Sequence, residues 1–399
     1  MTSRERVEAA LQHREPDRTP VFEYVLLAPV AEQLIGRPFV DCNGGRHGWD
    51  TLIAEKGWEG AVRQYARDQV EIAALLGHDL LYVVPNPAPP RIAPPAPPET
   101  GGERDGMASS GSPDAGGERD GAASPLPPKV GGERGGSSPR PPDDPVERVR
   151  QRTEAGLQAP LHVPEETLLV YVLLKEEMRQ RDLDLPILAP AYGHGIWTDT
   201  DLMQAMLLEP EVAHAHFRLA TQRCLAAIEA YLKVGVDQLG VGGDFAGNRP
   251  MISPQAYREF IMPEVRVLSR RIHQAGKWAI NASDGNLWSV IDDFLLGCEV
   301  DGYLEIDSHA GMDLRRLKEA YGDRITLYGN MDCGTILTFA TPEEIRRATH
   351  ECLDAGWGSG GHLFSASNAI TASVPLPNYL AMVNAYREYF GLAPLRLAG

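Results

Sequence analysis

The sequence has no long apolar run and a shortage of basic residues. It holds 38 Lys and Arg against 55 Asp and Glu, a formal charge of −17, whereas nucleic-acid binding depends on basic side chains that neutralise phosphates. No stretch reaches the roughly 18 apolar residues that a membrane span needs, and the first 20 residues are charged rather than signal-like. We therefore expect a soluble, cytoplasmic protein whose partners include neither nucleic acid nor a membrane.

Several catalytic and metal-binding patterns are missing as well. The five cysteines are far apart and form no Cys-x-x-Cys pair, which argues against a disulfide framework and a zinc ribbon. The sequence also lacks His-Glu-x-x-His spacing, a Gly-x-Ser-x-Gly elbow and a P-loop. These absences exclude the commonest zinc hydrolases, serine hydrolases and NTPases, and we assign no metal ligand.

Proline and glycine are concentrated in one stretch. Residues 85–145 contain 16 of the 32 prolines and 11 of the 40 glycines, with GGERDG at 101 and 116 and GGERGG at 131. No repeat unit has an apolar face that stacking could bury, which excludes a solenoid. We interpret residues 86–145 as a disordered low-complexity insertion, a linker or binding tail if it has any role, between the two parts of one domain, residues 1–85 and 146–399.

Outside the insertion, short apolar strands alternate with helical periodicity. Eight strands are predicted, over residues 20–24, 80–84, 186–191, 238–242, 277–282, 302–306, 326–329 and 362–365. Helices are predicted after residue 2 and over 210–233, 254–275, 287–296, 313–321, 342–355 and 376–390. Such alternation indicates a parallel sheet with right-handed crossovers. Eight units favour a single (β/α)8 TIM-type barrel, with the Pro/Gly-rich insertion after its second strand.

In such a barrel the catalytic groups follow the carboxyl ends of the strands. Here those positions are polar and rich in carboxylates. In chain order they are Glu23, Tyr24, Asn86, Tyr192, His194, Asp244, Asn281, Ser283, Asp284, Glu305, Asp307, Asn330, Asp332, Ser367 and Asn368. If the barrel closes, they meet at one mouth, where repulsion should raise the pKa of at least one carboxyl group.

The leading candidates have structural alternatives. Asp244 lies among glycines that let a ligand approach the backbone, but it can also form a turn. Asp284 can instead cap the following helix. His194 lies between two glycines, which we interpret as an exposed and mobile setting.

The remaining acids and amides are also open to a second interpretation. Glu23 and Glu305 end apolar strands, where a carboxylate faces either the pocket or a structural arginine. Asn330 and Asp332 can build their loop through Asx turns instead of binding a ligand.

The chain carries five recognisable segments: TSRERVEAAL from residue 2, DGNLW from 284, LYGNMD from 327, TPEEI from 341 and VPLPNYLAMV from 374. Together they resemble the uroporphyrinogen decarboxylase superfamily over the whole chain except the insertion. The resemblance implies a (β/α)8 barrel. It also implies one of two activities: cofactor-free decarboxylation of a tetrapyrrole's acetate groups, or zinc-assisted methyl transfer from a methylated corrinoid to a thiol.

The positions that the resemblance would make functional are largely replaced. The arginine-rich segment that holds substrate carboxylates after the first strand reads EYVLLA from residue 23, and the next arginine is Arg37. The acidic residue of the decarboxylases after the second strand is Asn86. The zinc-binding His-x-Cys pair reads NAS from residue 281, and the late histidine or cysteine is Asn368. We therefore expect no bound zinc.

These observations predict a diverged enzyme of this superfamily, a methyltransferase or carboxy-lyase, leaning towards corrinoid-linked methyl transfer to a small-molecule acceptor. The alternatives are uroporphyrinogen III decarboxylase and a non-catalytic protein that binds a corrinoid partner. We assign polar catalysis to Asp284, Asp244, His194 and Tyr192. Substrate binding is assigned to Glu23, Tyr24, Asn281, Ser283, Glu305, Asn330, Ser367 and Asn368. The expected partners are a small molecule and a corrinoid protein, and a homodimer stays open.

Overall fold

The computed structural model describes residues 1–41, 46–90 and 144–397. Within these ranges seven strands form one parallel sheet whose spatial order follows the chain. The strands are β1 Leu81–Tyr82, β2 Ile187–Pro190, β3 Gln238–Gly242, β4 Trp278–Ala282, β5 Gly302–Leu304, β6 Thr326–Tyr328 and β7 His362–Leu363. This order confirms the predicted α/β class and is that of a TIM-type fold. Most of the predicted insertion, residues 91–143, lies outside the described residues.

Helices cover the outer face of the sheet. They are α1 Ser3–Leu11, α2 Ala28–Ile35, α3 Arg46–Leu76, α4 Pro145–Gln158, α5 Leu169–Gln180, α6 Thr200–Leu208, α7 Pro210–Lys233, α8 Pro254–Ala256, α9 Met262–Gln274, α10 Leu314–Tyr321, α11 Ile336–Phe339, α12 Pro342–Gly356 and α13 Leu376–Tyr389. In the described ranges, none of them combines the length and the apolar character that a membrane crossing requires.

The helix starts follow the local sequence signals. The capping box predicted at Thr2 and Glu5 is present, and a second one at Thr341 and Glu344 begins α12. Two predicted helices are interrupted: π-helical turns occupy Tyr257–Ile261 between α8 and α9 and Asp293–Gly297 after β4. The sequence analysis did not predict α2 to α6, which lie on both sides of the insertion.

The first predicted strand, residues 20–24, is reduced to a single bridge. Val21 pairs in parallel with Phe364, next to β7, and its carbonyl accepts the Asp79 amide at 2.7 Å, two residues before β1. The segment therefore lies between the two edge strands of the sheet. Pro20 has no N–H to donate, which shortens the ladder on this side. The prediction of a full strand here is wrong.

Alternate residues of each strand face either the barrel interior or the helices. Phe22, Tyr24, Ile280, Leu304 and Tyr328 belong to the interior apolar cluster, with Leu188 and Leu363. Their strand neighbours, such as Ala279 and Tyr303, join the larger cluster between sheet and helices. This alternation decides which polar residues at the strand ends can reach the mouth of the barrel.

Candidate active site

Three carboxylates meet at the carboxyl end of the sheet. Asp244 follows β3, Asp284 follows β4 and Glu305 follows β5, which are neighbouring strands. One oxygen from each lies within 4.8 Å of the other two. Asp244 and Glu305 are buried and Asp284 is half-buried. We call these three residues the carboxylate trio.

Hydrogen bonds between loops fix the trio. The Asp284 amide donates to Oδ1 of Asp244 at 3.1 Å, and Nδ2 of Asn368 donates to Oδ2 of Asp284 at 2.7 Å. Asn368 follows β7, so a residue from the far end of the chain completes the cluster. The next turn is capped by Asn286, whose Oδ1 accepts the Trp288 amide at 3.3 Å. The helix-cap alternative for Asp284 is therefore not realised.

The glycines beside Asp244 serve backbone packing. A Cβ on Gly195 would lie 3.0 Å from the Asp244 nitrogen, and one on Gly243, whose φ is 132°, would lie 2.8 Å from the Gly195 nitrogen. The Asp244 carbonyl accepts the amides of Ile196 and Trp197 at 2.7 and 3.0 Å. The loops after β2 and β3 thus pack backbone to backbone, and side chains at these glycines would displace Asp244.

Glu305 is held in an unusual backbone conformation. Its φ is 69°, the left-handed region that non-glycine residues rarely adopt. Its side chain is 3% exposed, and Oε2 has no hydrogen-bond partner among the described residues. Such conformations cost free energy and persist where surrounding structure imposes them, often at functional sites.

Burial and mutual repulsion make the trio hard to ionise. Burial, then the neighbouring Asp244, raise the pKa of Asp284; burial alone raises the pKa of Asp244. Burial, then Asp284 and Asp244, raise the pKa of Glu305 well above its ordinary value. No basic side chain in the described ranges is among the groups that shift these pKa values. The expected rise in a carboxyl pKa at the mouth is thereby present.

Tyrosines from the barrel interior reach the trio from below. The Tyr24 hydroxyl donates a hydrogen bond that lowers the pKa of Glu305, opposing its burial. The Tyr24 and Tyr192 hydroxyls lie 3.5 Å apart, and the Tyr24 ring packs 4.5 Å from that of Tyr82. Burial, then Glu305, raise the pKa of Tyr192. Tyr24 and Tyr192 are therefore placed as neutral hydroxyl donors beside the acids.

His194 is not in the exposed, mobile setting that we predicted. It is fully buried, and its ring packs parallel to that of Phe217. Nε2 lies 2.9 Å from Oγ1 of Thr221, a residue of α7. Burial lowers the pKa of His194 to about 3. The side chain faces the outer helices and is neutral, so the structure supplies no contact between it and the trio.

Two predicted substrate-binding residues lie behind the barrel wall. Asn281 is fully buried and donates from Nδ2 to the Phe294 carbonyl at 3.0 Å. Glu23 accepts the Ala366 amide at 3.0 Å and a hydrogen bond from the Tyr379 hydroxyl on α13. Both follow from the alternation described above, because their strand neighbours face the interior. Neither an arginine nor the trio accompanies Glu23.

The buried carboxyl group of Glu23 should make the free energy of unfolding depend on pH. Burial raises its pKa to about 8. The folded protein therefore binds this proton more tightly than the unfolded chain, whose glutamate pKa is about 4.3. The stability contributed by the protonated Glu23 is complete below about pH 4.3 and is lost as the pH rises through about 8. Urea unfolding between pH 5 and 8 should show Glu23→Gln gaining stability over the parent by up to about 1.4 kcal/mol per pH unit; parallel curves would contradict this.

Other strand-end residues hold loops together. Ser283 donates to the Asp284 carbonyl at 3.0 Å, Ser367 lies 3.5 Å from Sγ of Cys333, and the Asn330 amide donates to Sγ of Cys352 at 3.4 Å. Asp332 pairs with His309 at 3.0 Å. Asn86 and Asp307 bond the backbone amides of Val170 and Ala310. The predicted roles of Ser283, Ser367 and Asn330 in substrate binding stay predictions.

The sequence analysis missed Tyr303. This residue of β5 is fully buried, and its hydroxyl has no hydrogen-bond partner in the described part of the chain. Burial, then Asp284, Asp307 and Glu305, raise its pKa well above the ordinary value. The sequence feature that could have identified Tyr303 is its position two residues before Glu305, the carboxylate at the end of the strand. The face of the sheet on which Tyr303 lies could not be decided from the sequence.

The donor set does not fit the zinc that the resemblance implies. Its positions hold Asn281, Ser283 and Asn368, which supply amide and hydroxyl groups where zinc sites use imidazole and thiolate. All three are engaged in the hydrogen bonds given above. The groups that could hold a metal in the described ranges are the carboxylate trio, whose ligand atoms are all oxygen.

Comparisons with known proteins agree with this fold and place part of the chain in a family. A sequence model of the family described as Uroporphyrinogen decarboxylase (URO-D) matches residues 191–389. The solved structure of a methyltransferase from Methanosarcina mazei superposes with a TM-score of 0.61 at 16% identity, covering 98% of this chain and 99% of that one. This likeness concerns the fold.

Curated relatives carry the name uroporphyrinogen decarboxylase. Those from Coxiella burnetii and Pseudomonas savastanoi pv. phaseolicola are 27% and 29% identical over 194 residues, which cover 47% and 46% of this chain. The chain spans about half the length of these relatives, 50% and 51%. Fold and site define a TIM-type protein with an acidic mouth. Residues 191–389 of the chain belong to the uroporphyrinogen decarboxylase superfamily.

Proposed function

We propose that this protein is an enzyme of the superfamily that transfers a methyl group to a small-molecule acceptor, with the carboxylate trio as its reacting centre. The observation that carries the proposal is the trio itself: three carboxylates face one another within 4.8 Å at the strand ends, with no cationic partner among the described residues. Such a centre attracts cationic acceptors, does not repel neutral ones, and repels anions.

The electrostatics disfavour tetrapyrrole decarboxylation. A substrate with many carboxylates needs arginine clamps. The first arginine after the Val21 segment is Arg37, and its guanidinium already bonds Asp68 and Glu71, the latter at 2.8 Å. Its guanidinium N–H groups are therefore already engaged and do not provide a paired contact for a substrate carboxylate. A polycarboxylate at this mouth would meet the trio and be repelled.

Methyl transfer needs a group that takes a proton from the acceptor. When bound, a methylated corrinoid on a partner supplies the methyl group and keeps the electron pair of the broken carbon–cobalt bond. The acceptor's heteroatom loses its hydrogen as the new bond to carbon forms, and a carboxylate of the trio takes that proton. Tyr192 donates a hydrogen bond that orients the acceptor, Tyr24 lies beside it and holds Glu305, and Asn368 holds Asp284 in place.

Anaerobic incubation with methylcobalamin tests the proposal. Thiols, amines and phenols are offered as acceptors, and loss of the methylcobalamin spectrum with formation of the methylated acceptor is expected for at least one class. Uroporphyrinogen III is offered in a parallel reaction. Loss of its carboxylates would overturn the proposal in favour of decarboxylation. Capture of a corrinoid protein without any turnover would overturn it in favour of a non-catalytic binding protein.

A further inference from the structure

Two buried aspartates elsewhere in this protein are neutralised by arginine, whereas buried Glu23 has protein hydrogen bonds in place of an arginine. Asp79 has a fully buried side chain and pairs with Arg6 at 2.6 Å and with Arg18 at 2.7 Å. Asp68 is 3% exposed at its side chain and pairs with Arg37. A buried ionised carboxylate without such a partner is costly. The carboxylate trio brings three carboxyl groups together without a basic partner in the described ranges.

One oxygen of the trio also lacks a partner. Oε2 of Glu305 has no hydrogen bond to the described part of the chain although the residue is 97% buried. Nearly all buried polar atoms in proteins have a partner, so such atoms call for an explanation. Glu305 is a member of the trio, so its unpartnered oxygen points to a ligand bound there.

We propose that Asp244, Asp284 and Glu305 bind one divalent cation of the oxygen-preferring class, Mg²⁺, Mn²⁺ or Ca²⁺. The three oxygens lie within 4.8 Å of one another. Two ligands on opposite sides of a Ca²⁺ are separated by about 4.6–5.2 Å, and around Mg²⁺ by about 4.0–4.2 Å. These are the largest separations that two ligands of one cation can have, so an upper bound of 4.8 Å for the trio is compatible with Ca²⁺ and does not choose between the cations.

The ligand chemistry selects against zinc. Zinc sites in proteins use imidazole and thiolate, and the nearby candidates face elsewhere: His194 bonds Thr221, and Cys333 lies against Ser367. Carboxylates alone suit harder cations. A divalent cation would leave the trio with one net negative charge, enough to take the acceptor's proton in the proposed function.

Cation binding is tested on the full chain without any turnover. Chelator-treated protein is titrated with CaCl2, MgCl2, MnCl2 and ZnCl2 by calorimetry, with melting temperatures in parallel. We expect one site for at least one of the first three cations and weaker Zn²⁺ binding. Glu305→Gln should weaken this site at least tenfold, while Glu319→Gln, the same change on exposed α10, should leave it intact. No binding at millimolar concentrations, or equal binding by both variants, would overturn the proposal.

The cation-free variants separate a binding site from a structural cluster. Because Glu305→Gln removes one repelling charge, its melting temperature without cation should equal or exceed that of the parent, and the cation-induced rise should disappear. A lower melting temperature without cation, with the rise retained, would mark Glu305 as structural and overturn the assignment. The proposed cation site is the reacting centre of the proposed function, and in that respect it rests on that function. The binding measurement does not depend on turnover, so methyl transfer can fail while the cation binds, and the cation can fail to bind while methyl transfer proceeds.

Discussion

Asp284→Asn is expected to reduce methyl transfer at least tenfold while leaving the melting temperature unchanged or higher. Asp284 is tied to both neighbours of the site: its backbone amide donates to Asp244, and its Oδ2 accepts a hydrogen bond from Asn368. Asparagine keeps the shape but cannot take the acceptor's proton. A tenfold loss corresponds to about 1.4 kcal/mol of transition-state stabilisation, which is modest for a group in contact with the reacting atoms.

The expected melting temperature is unusual, because most substitutions at buried positions lower it, whereas Asp284→Asn should leave it unchanged or raise it. Burial and Asp244 already disfavour the charged form of Asp284, so removing the charge relieves repulsion. Initial rates with methylcobalamin and the best acceptor, together with thermal melting, measure both effects. Asp323→Asn, the same change at a side chain 79% exposed, is the control and should alter neither. Full activity in Asp284→Asn would remove this residue from the mechanism.

The trio could be predicted because its members follow consecutive strands. Once β3, β4 and β5 are recognised as neighbouring parallel strands, Asp244, Asp284 and Glu305 have to emerge at the same end of the sheet. The spacing of the strands along the chain was sufficient for this inference. Neither the approach of the three oxygens to within 4.8 Å of one another nor the left-handed backbone of Glu305 could be derived from it.

The face on which a strand residue lies could not be predicted. Strands that are buried on both sides read as continuous apolar runs, so the usual alternation of polar and apolar residues is lost. Ile280, Asn281 and Ala282 illustrate this: the first and third face the barrel interior, whereas Asn281 bonds the Phe294 carbonyl outside it. The same ambiguity placed Glu23 in the predicted pocket.

Long-range partners explain the remaining errors. His194 is turned outward, where its Nε2 hydrogen-bonds with Thr221, 27 residues away on α7, and nothing in the glycines beside His194 encodes that contact. The first strand is reduced to a bridge at Val21, beside Pro20 and between β1 and β7, which are each two residues long. Such contacts depend on how helices dock, which a single sequence does not specify.

Asp79→Ala is expected to destabilise the protein by about 3–5 kcal/mol, because half-buried Arg18 loses its carboxylate and buried Arg6 keeps only Asp17. Asp79 joins the edges of the sheet: Oδ2 accepts the Val21 amide at 3.0 Å, and its own amide donates to the Val21 carbonyl at 2.7 Å. Its carboxylate also pairs with Arg6 and Arg18. One side chain thus ties the Val21 bridge, α1 and the start of β1 together.

Urea unfolding at neutral pH measures this loss. Asp184→Ala is the matched control, because Asp184 is 62% exposed at its side chain and pairs with Arg4; an exposed ion pair contributes at most about 1 kcal/mol. Asp79→Asn separates charge from shape, since the amide oxygen can still accept the Val21 amide. We expect it to fall between the parent and Asp79→Ala. A loss of less than about 1 kcal/mol in Asp79→Ala, the size of an exposed ion pair, would contradict this prediction. It would mean that the edges of the sheet are held together by apolar packing around Phe22 and Tyr82 instead.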